Sequence, residues 1–179
     1  RNRQHKLLYG MSIEERPEAV NKREEFGHWE IDTVVGNRDS SAVLLTLDER
    51  TLNFRHIIKI ANRSTMAVEQ GIQQLREIYG DHFNAVFRSI TSDNGSEFAS
   101  LPQFLPDTAI YYAHPYSTYE RGLNEKQNSL IRRFFPKVHS LDGVSLDAVQ
   151  RVQDWCNRFP RKAFGYASPA ELFQTVLFD

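Results

Sequence analysis

Residues 27–35 place apolar side chains on both faces of any strand they form, with Trp29, Ile31 and Val35 on one face and Val34 on the other. A run of this kind is stable only as a central strand covered on both sides. Two further strand-like stretches follow at 41–48 and 53–60, joined by the polar turn Glu49-Arg50-Thr51. Short links between consecutive strands make an antiparallel meander. The pattern then alternates. A helix opens at Ser64 or Thr65, buries Val68, Ile72, Leu75 and Tyr79 at helical spacing, and closes at Gly80-Asp81. A strand at 85–91, a short helix around 97–104 and a strand at 109–112 come next. Helices over roughly 123–135 and 145–159 follow, and Ser168 caps a last helix that Pro169 opens. Residues 1–25 are polar, with a short helix at 12–15, and read as an N-terminal arm preceding a core over 26–179. These elements predict one α/β domain, a mixed five-stranded sheet with an antiparallel meander flanked by helices.

Composition narrows the function classes. At 179 residues and 40% hydrophobic content the chain can bury one substantial core. No apolar run approaches a membrane span, so no membrane partner is expected. The single Cys156 excludes an internal disulfide and a Cys-cluster zinc site, and fits a cytoplasmic location. A net charge of −1 lacks the basic footprint usual for nucleic-acid proteins. The balance is local, however: residues 121–137 carry Arg121, Lys126, Arg132, Arg133 and Lys137 against Glu125 alone, and Arg158, Arg161 and Lys162 form a second basic group. The chain opens Arg-Asn-Arg without a Met, as expected of an excised core. It has no P-loop and no Gly-x-Ser-x-Gly elbow, which argues against nucleotide and serine hydrolases.

Three acidic residues stand where chemistry can be assembled. Asp32 lies inside the apolar strand, where a charge is costly unless it is paired or metal-bound. Asp93 stands where a strand gives way to the turn Asp93-Asn94-Gly95. Glu125 opens a helix whose same face carries Asn128, Ser129 and Arg132. Together they form an all-oxygen donor set suited to Mg²⁺. Taken singly, each also has an ordinary reading: a buried Asp satisfied by donors, a tight turn, a solvated helix face. Glu30, on the same face as Asp32, and Glu120, in the preceding loop, are rival acids. His28, His56, His82, His114 and His139 lack metal-ligand spacing and read as structural, Asp48 as the end of its strand, and Trp29, Trp155 and the Val149–Cys156 stripe as core.

Read jointly, these segments resemble the integrase core of retroviral integrases and bacterial transposases, and most nearly the insertion sequence thirty family of transposases. The residues that carry the likeness are Trp29-Glu30-Ile31-Asp32-Thr33, Ser92-Asp93-Asn94-Gly95-Ser96-Glu97-Phe98, Pro115-Tyr116-Ser117, and Glu120-Arg121-Gly122 through Asn124-Glu125 to Asn128. Leu130-Ile131-Arg132-Arg133-Phe134-Phe135-Pro136-Lys137 and a closing Asn157-Arg158, Pro160-Arg161-Lys162, Gly165-Tyr166 and Ser168-Pro169-Ala170-Glu171 continue it. The resemblance implies a ribonuclease H-like fold. It also implies a triad of Asp32, Asp93 and Glu125 that holds two Mg²⁺ or Mn²⁺ ions, cleaves transposon ends and transfers strands into target DNA. Aligning Gly122 with the family's glycine selects Glu125 over Glu120. Lys126, Asn128, Arg132, Arg133 and Lys137 are expected along the DNA backbone, and a homo-oligomer is expected on DNA. The alternatives are a nuclease of the same fold without strand transfer and a catalytically silent DNA-binding or assembly module. Family members also carry an end-reading helix-turn-helix region, which nothing here matches.

Overall fold

The computed structural model describes residues 9–114 and 122–178. Along them run β1 (Met11–Ser12), α1 (Glu18–Asn21), β2 (His28–Val35), β3 (Val43–Glu49), β4 (Arg55–Ile60), α2 (Thr65–Tyr79) and α3 (Phe83–Val86). There follow β5 (Ser89–Ser92), α4 (Leu101–Phe104), β6 (Ala109–Tyr112), α5 (Gly122–Ile131), α6 (Leu146–Arg158) and α7 (Pro169–Phe178). The strands form one sheet in the order β1-β6-β5-β2-β3-β4. β2, β3 and β4 are the antiparallel meander, and β2, β5, β6 and β1 pair in parallel. The sheet thus has six strands rather than five. The addition is β1, whose two residues pair with Tyr111 and Tyr112 and are too few to leave a periodic signal.

β2 is buried on both faces, as its composition requires, and it separates two cores. Trp29 and Ile31 join Leu45, Leu47, Ile58 and Ile60 under α2, which contributes Val68, Ile72 and Leu75. Helix α2 sits close because Gly71 has no side chain: a Cβ there would stand 2.9 Å from Leu45 Cδ2 and 3.0 Å from Ile60 Cγ2. Ser64 caps the helix by accepting the Ala67 amide N–H at 3.1 Å. On the other face Val34, Leu44 and Ile57 pack with Leu130, Ile131, Phe135, Val149, Val152 and Cys156 from α5, α6 and their connection. Helix α6 also closes the sheet edge. Its Gln153 Oε1 accepts the Ile57 amide N–H at 2.7 Å, and Asn157 both accepts from the Arg55 amide at 2.9 Å and donates to its carbonyl at 2.8 Å. One turn apart on α6, these two side chains satisfy the backbone of β4 that an edge strand would leave open.

Three element boundaries depart from the expectations. The stretch 85–91 divides between α3 and β5, because Phe83, Val86 and Phe87 bury at helical spacing and the Trp29 indole donates to the Val86 carbonyl at 2.8 Å. The helix expected at 97–104 is a 3₁₀ turn over Ser96–Phe98 followed by α4. Helix α5 ends at Ile131, four residues early; Phe135 folds back into the second core and precedes Pro136, where helical backbone is disfavoured. Within α6, Leu146 is exposed and Trp155 only half-buried, against the core stripe expected of them. Asp48 does not end its strand: β3 runs on to Glu49, and Asp48 is fully buried. Among the described residues no helix is long and apolar enough to cross a membrane.

His56 is buried among Trp29, Phe54, Tyr79 and Phe87, and its Nε2 lies 2.7 Å from the Tyr79 hydroxyl. Burial lowers its pKa from 6.5 to about 4, so the core holds the neutral ring. The unfolded chain therefore binds the proton more tightly between those values, and this contribution to stability is lost as pH falls from about 6.5 towards 4. Urea unfolding of the native chain and of His56→Gln at pH 7 and pH 5 should show the native chain losing about 2 kcal/mol more than the variant. Equal losses would mean that His56 is not held neutral.

Candidate active site

The first carboxylate is fixed by the strand that carries it. Asp32 lies on the β2 face that packs against α5 and α6, opposite Thr46 on β3, and is half-exposed. Its Oδ1 accepts the Thr33 amide N–H at 2.8 Å, and its Oδ2 accepts the Asn128 side-chain amide of α5 at 3.2 Å. Asp93 follows β5 directly. The last pair between β2 and β5 is Glu30 with Thr91, so Asp32 and Asp93 each stand two residues beyond it on neighbouring parallel strands. The Asp93 carboxylate turns into its own loop, where Oδ1 accepts the Gly95 amide N–H at 2.9 Å. Glu125 is exposed on the first turn of α5, three residues before Asn128. Sheet topology thus places Asp32 and Asp93 just past the same end of the β2–β5 ladder, and Asn128 ties the helix of Glu125 to Asp32.

These acids do not form a closed cage. Among the described residues, no group of three or more His, Cys, Asp or Glu side chains is gathered into a metal-holding cluster. The donor chemistry nevertheless fits a hard divalent cation: two half-exposed carboxylates and one exposed carboxylate, with no thiolate or imidazole among them. Of the rivals, Glu30 is fully buried and ion-paired with Arg50, so it serves as a structural charge. Glu120, with Pro115 to Arg121, lies outside the described residues.

A buried polar network stands behind Asp32. Asp48 and Arg55 are opposite one another on β3 and β4, both fully buried, with Arg55 Nε 2.8 Å from Asp48 Oδ1 and Nη2 2.9 Å from Oδ2. Burial pushes the Asp48 carboxyl up to about 7 against the pull of the guanidinium. Arg55 also donates to the Gln127 carbonyl at 2.5 Å and to Asn128 Oδ1 at 3.2 Å. Asn128 therefore spends both ends of its amide inside the protein, one on Asp32 and one on Arg55. Arg161 from the closing motif donates to Gln127 Oε1 at 3.2 Å, and Gln127 donates to the Asn53 carbonyl at 2.7 Å. Arg132 likewise turns inward, donating to the Val35 carbonyl at 2.8 Å, and burial lowers its pKa. Lys126, Arg133 and Lys137 are exposed.

Beside Asp93 sits a further acid. Glu97 is buried; its Oε1 accepts from Arg63 Nε at 2.9 Å, Arg63 Nη2 at 2.5 Å and the Thr33 hydroxyl at 3.2 Å. A Cβ on Gly95 would meet Glu97 Oε2 at 2.7 Å and Asp93 Oδ1 at 2.8 Å, so the two carboxylates flank that glycine.

No protein-family model matches the chain. Individual proteins do. It is 39% identical over 166 residues to a probable transposase for insertion-like sequence element IS1161 from Streptococcus salivarius, covering 92% of this chain and 46% of that protein. It is 33% identical over 170 residues to the transposase for insertion sequence element IS4351 from Bacteroides fragilis, covering 93% and 50%. To transposase InsI for insertion sequence element IS30A of Escherichia coli (strain K12) it is 29% identical over 170 residues, covering 94% and 43%. Over nearly its whole length the chain is similar to transposases of IS30 family elements.

The chain spans about half the length of these relatives. Its fold is that of the catalytic core domain of BIV integrase, with a TM-score of 0.62 at 16% identity over 85% of this chain and 96% of that one. The ribonuclease H-like architecture expected from the sequence is therefore the one observed. Sequence reasoning missed Arg55, Asp48 and Arg63 around this candidate site. A signal existed for the first two: opposite charges in consecutive apolar strands, placed symmetrically about the Arg50–Asn53 turn.

Proposed function

We propose that this chain is the catalytic core of a DNA transposase, which cleaves transposon ends and joins them to target DNA. The observation that carries the reading is the coupling of Asp32 to α5. Asn128 links the helix of Glu125 to the Asp32 carboxylate just past the end of the β2–β5 ladder, where Asp93 also stands, in a chain similar to transposases of IS30 family elements. Asp32, Asp93 and Glu125 would hold Mg²⁺ or Mn²⁺, two ions being the number that lets both exchanging oxygens be served. When bound there, the ions supply Lewis acidity to the phosphoryl group and to the attacking hydroxyl or water.

The chain's own residues set the geometry. The Arg55–Asn128 pair fixes the Asp32 carboxylate in one orientation, so its lone pairs need not be ordered during reaction. Exposed Lys126, Arg133 and Lys137 hold the phosphate backbone and position it without reading sequence. In each step a phosphorus–oxygen bond forms to the attacking oxygen as the bond to the leaving 3′ oxygen breaks, and that oxygen takes up a proton. Two ends must be handled together, so a second copy of the chain is expected on DNA, in the bacterial cytoplasm.

The test uses a branched DNA that already carries a joined end. The chain can run the exchange backwards on it without a separate end-reading segment. A transposase core reseals the target strand and releases the end. A nuclease leaves cut strands that are never resealed, and a silent module binds the branch and leaves it intact. On the same substrate, Asn128→Ala should slow resealing about 100-fold, because losing both amide bonds lets Asp32 drift relative to α5. An unchanged rate would show that the link is incidental.

A further inference from the structure

Arg63 is unlike the other cations near Asp32 and Asp93. It lies in the link between β4 and α2, its side chain is 51% exposed, and it is held by a carboxylate that is only 4% exposed. Both Nε and Nη2 donate to the single oxygen Oε1 of Glu97. Surface arginines seldom meet a buried, immobile acid in this way; an exposed ion pair gains little and leaves the side chain loose. Here Glu97 is fixed by its burial and by the Thr33 hydroxyl, the residue next to Asp32, while its other oxygen abuts the Gly95 backbone beside Asp93. The guanidinium is therefore presented in one orientation at the edge of the site. Among the described residues nothing accepts a hydrogen bond from its Nη1.

We infer that Arg63 is a ligand for a phosphate of the DNA strand that passes Asp93, with Glu97 as the residue that positions it. The inference rests on the proposed function, because it takes DNA as the substrate. An arginine suits this role because its planar fork can keep two N–H groups on the carboxylate and offer the remainder to a phosphate. Glu97 holds it through one oxygen.

The test is binding of the branched DNA, measured by fluorescence anisotropy across a salt series, with the chain as it stands. Arg63→Gln should weaken binding about tenfold and reduce the slope of log affinity against log salt by about one, as the loss of one phosphate contact requires. Arg63→Lys should keep the slope. Glu97→Gln should keep the slope yet raise the KM for resealing, since the cation remains and only its placement is lost. Arg63→Gln leaves Glu97 buried without its cation and can destabilise the chain. The double variant Arg63→Gln with Glu97→Gln removes that imbalance; it should melt near the native chain and still show the reduced slope. An unchanged slope in the double variant would overturn the assignment. Failure of the proposed function looks different: the native chain itself would not bind or reseal the branch.

Discussion

Arg55→Met should lower the unfolding free energy by about 3–5 kcal/mol. Arg55 and Asp48 are both fully buried, and removing the cation strands a carboxylate where water cannot reach it. The Asn128 and Gln127 acceptors lose their donor as well. Replacing both partners, as Asp48→Leu with Arg55→Met, should recover most of the loss, because a matched apolar pair carries no desolvation cost. The effect depends on pH with a definite sign. The folded carboxyl of Asp48 binds its proton more tightly than the unfolded one, with a pKa of about 7 against 3.8. Its unfavourable contribution therefore grows as pH rises from about 4 to about 7. Without Arg55 that contribution grows further, so Arg55→Met should be less damaging at pH 5 than at pH 8 in urea titrations. A pH-independent loss would mean that Asp48 stays ionised throughout.

Asp32→Asn, Asp93→Asn and Glu125→Gln should each slow resealing of the branched DNA about 1000-fold, or ~4 kcal/mol of transition-state stabilisation, with little change in melting temperature. Stability and activity separate here for a structural reason. Asp32 and Asp93 are half-exposed and Glu125 is exposed, so none is a buried charge that folding depends on. Arg55 is the opposite case, and its effect on rate should come through Asn128 and folding together. The comparison divides the polar residues on this face of the sheet. In the proposed mechanism the exposed and half-exposed acids do the chemistry, and the residues deeper in hold them in place.

Much of this was legible in the chain. The double-faced strand around Trp29, the meander and the amphipathic α2 and α6 are long enough for burial to impress a period on the sequence. Two-residue β1 could not be read, since its pairing with β6 depends on a neighbour distant in sequence. The division of 85–91 was hidden because Phe83, Val86 and Phe87 satisfy a helix while the same run is rich in strand formers. The positions of Asp32, Asp93 and Glu125 followed from family motifs more than from physics. Physics alone gave each an ordinary alternative. The side chains of Asn128 and Arg132 pointed to DNA by type, and the fold instead turns them onto Asp32 and Val35. Residue type names the bonds a side chain can make; packing decides which partner receives them.

If Asp32, Asp93 and Glu125 form one divalent-cation site, Mn²⁺ should bind there without DNA or turnover. Calorimetry and electron paramagnetic resonance can measure that binding on the native chain, Asp32→Asn, Asp93→Asn, Glu125→Gln and Glu120→Gln. Saturable binding is expected for the native chain and for Glu120→Gln, weakened at least tenfold by each of the other three substitutions. Binding that survives all three, or that is lost in Glu120→Gln and kept in Glu125→Gln, would contradict a site built from these three carboxylates.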